Sequence, residues 1–179
     1  MEIKWGGLDL LDDFYGVFAV NMRDLGTPVY PRQLFAQVLD QFADEAELAV
    51  VRHAGRPIAG AILVHGGGST QVPSASSLRR FNHTNANMWM YYRLLVRAIE
   101  RGSRAFDFGR SSVGSGTYRF KKQWGATERP TVWQYHERRG CAGDVRPDSP
   151  RYRRCIDIWQ RLPVWVTRMV GPAIVRGIP

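Results

Sequence analysis

Three short strands joined by tight turns constrain the fold of this chain more than any other sequence feature. Residues 47–53, 58–65 and 69–75 are rich in β-branched and small side chains, and Ala54-Gly55-Arg56-Pro57 and Gly66-Gly67-Gly68 separate them. Connections this short join antiparallel neighbours, because a parallel crossover needs a dozen or more residues. We therefore expect an antiparallel meander. The triple glycine lies between two strands and opens no helix, which favours a turn over a phosphate-binding loop.

Segments with helical periodicity flank the meander. Apolar side chains recur at three- and four-residue steps in residues 8–25 and 32–42, and again in residues 85–101. Asn85 is placed to cap the third of these helices, and Gly102 is placed to end it. The order so far is helix, helix, three strands and helix.

Short elements follow that third helix. Residues 104–109 are too few for another helix and are typical of a buried strand. Residues 109–116 hold three glycines and three serines, which is typical of a turn or loop. Residues 118–124 fit a short basic helix, and residues 131–136 fit a last strand. Helix, strand, loop and helix form a crossover unit, so the predicted fold class is α+β with a mixed sheet.

The composition changes after residue 137. Residues 138–154 are rich in Arg, Gly, Pro and Asp, which is typical of a linker, and residues 152–175 are amphipathic. Pro163 should divide this tail into two helical pieces, and Gly171-Pro172 should end it. We therefore expect a domain at 1–137 and a basic linker with a helical tail at 138–179. The tail either packs on its own domain or a second subunit, which we favour, or contacts a membrane surface through residues 152–176.

The charge and the scattered metal-ligand residues limit the function classes. The net charge of +9 favours nucleic acid, anionic lipid headgroups or phosphorylated substrates as partners, although a solvated basic surface also accounts for it. Two separate cysteines and four scattered histidines predict neither a zinc site nor a disulfide framework. We recognise no secretory signal and no transmembrane span, so we expect a cytoplasmic protein, with peripheral contact to the inner membrane left open.

One segment carries a family resemblance. Phe106-Asp-Phe-Gly-Arg-Ser111, followed by Gly116-Thr-Tyr-Arg-Phe-Lys-Lys-Gln-Trp-Gly125 after an asparagine-led helix, closely resembles the FemAB-like acyltransferases, which have the N-acetyltransferase (GNAT) fold. Within that class the chain looks most like the branch associated with exopolysaccharide and exosortase systems. The resemblance implies a GNAT-like domain with a central antiparallel meander. It also implies acyl or aminoacyl transfer to an amine of a cell-envelope or exopolysaccharide precursor.

The resemblance also bears on the donor and on partners. Family members generally have two tandem domains, and this chain resembles the second, with no first strand evident before Asp9. The alternative is therefore a non-catalytic half that binds a partner subunit, an anionic ligand or a membrane. The implied donor is aminoacyl-tRNA or acyl-CoA, which makes tRNA a candidate partner. From the sequence we expect no bound cofactor or metal, and we leave open a homodimer or a split-protein partner. The coenzyme A signature Q/R-x-x-G-x-G/A is absent from residues 76–87, which favours the FemAB branch over an ordinary acetyl-CoA enzyme.

Residues of the short basic helix are the first site candidates. Phe120 and Lys121 match a Phe-Lys pair that, in the family, lies where the nucleotide end of the donor meets the acceptor. The resemblance implies that Lys121 neutralises developing charge and that Phe120 is a stacking platform. The alternative is an amphipathic helix with the lysine outside and the phenylalanine in the core. Tyr118 and Arg119 are further substrate-binding candidates, although a solvated basic face explains Arg119 as well.

Two polar groups of residues complete the candidates. Asp107 and Arg110 lie at the end of the predicted strand, where α/β sites gather polar groups. Asp107 is either a general base or, as we favour, a buried acid that pairs with Arg110 or caps the loop. Arg80, His83 and Asn85 precede or begin the third helix, where an anion site and a basic histidine are expected, although loop polarity alone also explains them.

Overall fold

A five-stranded sheet organises the residues described by the computed structural model, which are 1–132 and 150–176. Its strands follow one another in space as they do in the chain: β1 (Glu2–Gly6), β2 (Ala46–His53), β3 (Arg56–Gly66), β4 (Ser69–Ser77) and β5 (Ala105–Asp107). Neighbouring strands are antiparallel from β1 to β4, and β4 and β5 are parallel. The predicted meander is confirmed, and so is the α+β class with a mixed sheet.

Helices cover both faces of the sheet. Phe14, Phe18 and Phe35 pack with Leu48 and Val50 on one face. The three phenylalanines belong to the two helices that precede β2. On the other face Met90 and Leu94 pack with Ala49, Val51 and Leu63, which alternate with the first set along the strands. The helices are α1 (Leu11–Leu25), α2 (Arg32–Gln41), α3 (Ala86–Glu100), α4 (Gly116–Gln123), α5 (Pro150–Arg161) and α6 (Val164–Val175), with short 3-10 helices at Leu8–Leu10 and Arg79–Thr84.

The first strand corrects a sequence expectation. No strand was evident before Asp9, yet Glu2–Gly6 pairs with β2 along its whole length. Ile3 and Trp5 pack against the cluster under α3, and the Arg97 guanidinium lies 5.2 Å from the Trp5 ring centroid. The alternation of these two apolar residues with Lys4 is the signal that identifies an edge strand with one covered face.

The ends of α3 agree only in part with the prediction. Gly102, at φ 74°, ends the helix, because the Ser103 amide donates to Ala98 at 2.9 Å and the Gly102 amide donates to Ile99 at 2.9 Å. This is the paired hydrogen-bond pattern of a glycine C-terminus. Asn85 occupies the N-cap position, but it has φ 55° and its side chain makes no capping hydrogen bond. The predicted N-cap position is therefore confirmed, but the Asn85 side chain does not cap the helix.

The tail packs on its own domain. The break at Pro163 is confirmed, because α5 ends at Arg161 and α6 begins at Val164. Trp159 is buried and its Nε1 donates to the Thr27 carbonyl at 3.0 Å. The expected end at Gly171-Pro172 is wrong, since α6 continues through both residues to Val175.

Two predicted features lie outside the described residues. These are the strand at 131–136, of which only the first two residues are described and neither is in a strand, and most of the linker at 138–154. The proposed boundary between 137 and 138 therefore stays a prediction. None of the helices in the described ranges is long and apolar enough to cross a membrane.

Candidate functional site

The strands β4 and β5 are paired only where they begin. The register joins Ser69 to Ala105 and Gln71 to Asp107, after which β5 ends and β4 continues to Ser77. Six more residues extend β4 by about 20 Å, at ~3.3 Å per residue. Within the described residues, no strand pairs with this edge of β4 beyond Gln71. The carboxyl-terminal half of β4 therefore borders an open gap.

A bulge at Pro73 lies where the two strands part. On the other side of β4, Val64 pairs with Gln71 and Ile62 pairs with Ser74, so that Val72 and Pro73 together stand opposite Leu63. Proline has no N–H for a sheet hydrogen bond and is tolerated in strands mainly at edges and bulges. The sequence position of Pro73, inside an otherwise strand-like segment, was a signal that our sequence reasoning missed.

A pocket of about 310 Å³ lies at the far end of β4. The helix α3 begins in this pocket, and no side chain caps it. The first N–H groups of the helix, at the positive end of its dipole, are therefore available to an anion. Asn85, one of the predicted site residues, belongs to the lining. The lining residues are Ser77, Leu78, Phe81, Asn82, Asn85, Ala86, Asn87 and Met88.

Two more of the predicted residues gather around Phe81 in the pocket wall. The Arg80 guanidinium lies 5.2 Å from the Phe81 ring centroid, and the His83 ring stacks on the same ring at 6.3 Å. Both side chains are exposed. The structure thus brings Arg80, His83 and Asn85 to one end of β4, next to an uncapped helix start, which is an arrangement suited to an anion.

A second group lies where β5 ends. Lys121 Nζ donates to the carbonyls of Gly109 at 2.8 Å and Arg110 at 3.0 Å. Asp107 Oδ1 accepts a hydrogen bond from the Gly109 amide at 2.7 Å. Burial lowers the pKa of Lys121, and the negative charge of Asp107 opposes that shift. Lys121 and Asp107 therefore hold the same loop, and the ammonium keeps a third N–H beyond these two hydrogen bonds.

The position of Phe120 fits a packing role. Its ring meets Tyr91 edge-on at 4.8 Å and Trp124 at 6.3 Å, and Tyr91 stacks on Phe108 at 5.9 Å. Burial raises the pKa of Tyr91, which keeps the phenol neutral. Phe120 thus ties α4 to α3 through an aromatic cluster, and it is only partly accessible to a ligand.

The remaining candidates on α4 lie further out. The Tyr118 hydroxyl donates to Glu128 at 2.7 Å, and Lys122 pairs with the same carboxylate at 2.6 Å. Arg119 is exposed, as is Arg110 in the loop before α4. Of the α4 residues, the structure therefore places Lys121 at the end of β5 with Asp107. Among the described hydrogen bonds, none connects Tyr118 or Arg119 to that pair.

Two polar atoms near this loop were not foreseen. Ser111 Oγ and Trp124 Nε1 are buried, and neither has a hydrogen-bond partner among the described residues. Buried polar atoms without partners are uncommon in folded proteins, and an ordered water, an ion or a functional role is the usual explanation. Within the same described ranges, no three His, Cys, Asp or Glu side chains are grouped closely enough to hold a metal ion.

Comparison with known proteins identifies the fold. A comparison with curated protein sequences finds no match. Among solved structures, the aminoglycoside N-acetyltransferase AAC(6')-Iy with a CoA bisubstrate analogue superposes with a TM-score of 0.60 and 15% identity, covering 76% of this chain and 97% of that one. The same enzyme with CoA gives 0.60 and 14%, covering 76% and 94%.

A ribosomal-protein-alanine N-acetyltransferase from Brucella melitensis biovar Abortus 2308 gives a TM-score of 0.59 at 15% identity, covering 76% of this chain and all of the other. At such identities the likeness establishes the fold alone. The sequence itself matches the family model described as acetyltransferase (GNAT) domain over residues 4–122. That match covers most of the chain and includes both the gap beside β4 and Lys121, so the chain belongs to the acetyltransferase (GNAT) domain family.

Proposed function

We propose that this protein is an N-acyltransferase that moves an acyl group from acyl-coenzyme A to an amine. The observation that carries the proposal is the gap along β4, which begins where Asp107 and Gln71 part and ends in the pocket at the start of α3. Its length of about 20 Å suits an elongated donor with a phosphate-bearing end and a reactive end. Acyl transfer is also the chemistry of the family to which the chain belongs.

The two ends of the gap suit the two ends of such a donor. Diphosphate oxygens accept hydrogen bonds from the uncapped N–H groups of α3, with Arg79 and Arg80 nearby to balance charge. The amide-containing arm lies along β4 and pairs with its free edge as an added strand would. The solved relative with CoA supports this choice of donor over aminoacyl-tRNA. The arginines and the helix start then take the place of the absent Q/R-x-x-G-x-G/A loop.

The reaction needs positioning and charge stabilisation. The acceptor nitrogen attacks the thioester carbonyl, the C–N bond forms and negative charge develops on the carbonyl oxygen. The C–S bond then breaks, the thiolate takes a proton, and the ammonium proton of the acceptor is lost to solvent or a base. The third N–H of Lys121 stabilises the developing negative charge, and Asp107 keeps the loop under Lys121 in place.

We assign the acceptor to the amines of cell-envelope or exopolysaccharide precursors, as in FemAB-like enzymes. The motif from Phe106 to Gly125 supports this choice, because it spans the loop and helix that surround Lys121. The net charge of +9 is also suited to precursors that carry phosphate.

The test is acyl transfer by the purified full chain. Acetyl-CoA and an aminoacyl-tRNA are offered as donors with a panel of amino sugars and envelope peptides as acceptors. We expect turnover with the acyl-CoA donor, and we expect Lys121→Met to lower kcat/KM by ~10²–10³-fold, the usual effect of removing one charge-stabilising donor. Lys4→Met, at an exposed position on β1, is the matched control and should retain full activity.

Each other outcome is informative. Turnover with aminoacyl-tRNA alone would show that the donor is aminoacyl-tRNA and not acyl-CoA, while acyl transfer would remain the reaction. A Lys121→Met variant as active as Lys4→Met would remove Lys121 from the mechanism. If the wild-type chain turned over neither donor, the catalytic proposal would fail, and the chain would be a binding module.

A further inference from the structure

The outward face of α6 is apolar. Thr167 and Gly171 are buried toward the domain, and the Arg168 guanidinium lies 4.8 Å from the Tyr15 ring centroid on α1. On the opposite side, Trp165 and Met169 are each 67% exposed. These two lie one turn apart on the same face. Ala173, one turn beyond Met169, continues this exposed face toward the end of the helix.

The outward face of α5 is basic. Its inner face holds the buried Trp159, and Gln160 donates to the Asp24 carbonyl at the end of α1. Arg154 and Arg161 are exposed on the other side, with the 62% exposed Ile158 between them. Both helices thus use one face to pack on α1, and the two outward faces both point away from it.

We propose that the outward faces of α5 and α6 form a peripheral membrane-binding surface for anionic phospholipid. Trp165 and Met169 enter the boundary between headgroups and acyl chains, while Arg154 and Arg161 contact lipid phosphates. A helix with an apolar face of this kind lies in the plane of the membrane–water interface, where tryptophan is enriched. The two helices lie beyond residue 122, where the family match ends, so they are additional to the shared fold.

Charge favours lipid over a second copy of the chain as the occupant. Residues 150–176 contain six arginines and one aspartate, a net charge of +5 that accounts for over half of the +9 of the whole chain. Two such surfaces placed face to face would repel each other. An anionic bilayer offers the opposite charge and an apolar layer beneath it, and each nearby basic residue adds ~1 kcal/mol of attraction in such a setting.

The test is co-sedimentation of the full chain with vesicles. Vesicles of equal parts phosphatidylglycerol and phosphatidylcholine are compared with phosphatidylcholine alone, at low and high salt. We expect binding to the anionic vesicles that weakens as salt rises. We expect the double variant Trp165→Ser with Met169→Ser to bind ~10-fold more weakly or worse, from the loss of apolar insertion. Arg154→Glu with Arg161→Glu should lose the preference for anionic lipid.

Matched controls distinguish binding by this surface from non-specific adsorption of exposed apolar side chains to the vesicles. Ile99→Ser and Leu8→Ser remove side chains that are 75% and 54% exposed elsewhere on the molecule, and both should bind vesicles as wild type does. Thermal melts check that each variant is folded. The proposal is overturned if wild type ignores anionic vesicles, or if Ile99→Ser weakens binding as much as the Trp165 variant. Self-association that Trp165→Ser abolishes, without vesicle binding, would assign the surface to a second copy.

Discussion

At the residue scale, a network of polar side chains connects β2, β3 and β4 to the segment just before β5. His65 Nδ1 lies 2.8 Å from Thr70 Oγ1, which lies 2.7 Å from Ser103 Oγ. On its other side, His65 Nε2 lies 2.9 Å from Glu47, and Arg97 donates two hydrogen bonds of 2.8 Å to that carboxylate. Ser103 is two residues before β5, so this chain of contacts fixes the strand that presents Asp107.

The Thr70→Val substitution measures how much the Thr70 hydroxyl, which contacts both His65 and Ser103, contributes to stability. Thr70 is fully buried, and valine matches its shape but leaves His65 and Ser103 each without that partner. We expect the free energy of unfolding to fall by ~1–3 kcal/mol, the usual cost of an unsatisfied buried polar group. Urea denaturation measures it. Thr127→Val, at an exposed position, should change stability by less than ~0.5 kcal/mol, and equal effects of the two substitutions would contradict the assigned role.

The site residues show what sequence reasoning can and cannot reach at this scale. The resemblance singled out Lys121, and the end of a predicted strand singled out Asp107. The hydrogen bond from the Gly109 amide is of the kind expected for a loop-capping acid. The predicted burial is wrong, because Ala105 and Asp107 of β5 are exposed. The partners of Lys121 are backbone carbonyls of a loop, which carry no residue-type signal. The orphaned Trp124 Nε1 likewise depends on packing that no local pattern specifies.

At the element scale, the contact between α6 and the α1–α2 connection depends on one glycine. A Cβ added at Gly171 would lie 2.6 Å from both the amide nitrogen and the carbonyl oxygen of Val29. Backbone atoms cannot swing aside as the end of a flexible side chain can. The close approach explains why residue 171 is a glycine. The helix also continues through this Gly-Pro pair, which shows that local propensity alone does not set its end.

Gly171→Ala should therefore loosen the tail. We expect a loss of ~1–3 kcal/mol in the free energy of unfolding, typical of overpacking. Gly16→Ala is the matched control, since Gly16 also lies within a helix but has no atom within 4 Å of the added Cβ. It should be stabilising by ~0.5–1 kcal/mol. Urea denaturation of both variants gives the comparison, and a neutral Gly171→Ala would show that α6 adjusts its position freely.

Elements with a strong period were predictable, and short or tertiary-dependent ones were not. The meander, α1, α2 and α3 follow from alternation and three- or four-residue steps in the sequence. The five residues of β1 are stabilised by pairing with β2 and by the contact of Trp5 with Arg97, which no local window contains. The end of α6 was missed for the same reason, because Val29 is far from it in the chain.

At the scale of the whole molecule, the buried group around Glu47 sets how stability depends on pH. Burial lowers the pKa of His65 below its ordinary 6.5, with the Glu47 hydrogen bond opposing. Burial raises the pKa of Glu47, but hydrogen bonds from Arg97 and His65 outweigh that effect and bring it below 4.5. Both folded-state pKa values are thus depressed, so the unfolded chain binds more protons as the pH falls.

We therefore expect the free energy of unfolding to fall as the pH drops below about 6.5, first through His65 and then, below about 4.5, through Glu47. Urea denaturation across this range measures the trend. Because other groups titrate there too, the His65→Gln variant is the reference, and its curve should be flatter than wild type in the upper part of the range. A wild-type protein that gained stability relative to His65→Gln on acidification to pH 5 would contradict the assignment.

Pro73, which lies where β4 and β5 part, has a consequence for aggregation. An edge strand with unpaired amides invites the edge of another molecule to dock and extend the sheet, which is a common beginning of aggregation. At Pro73 the amide hydrogen is missing, and the bulge bends the strand away from the straight course that such docking requires. Pro73 therefore makes this stretch of β4 a poor template for a neighbouring chain, while the edge beyond β5 still has room for a small extended ligand.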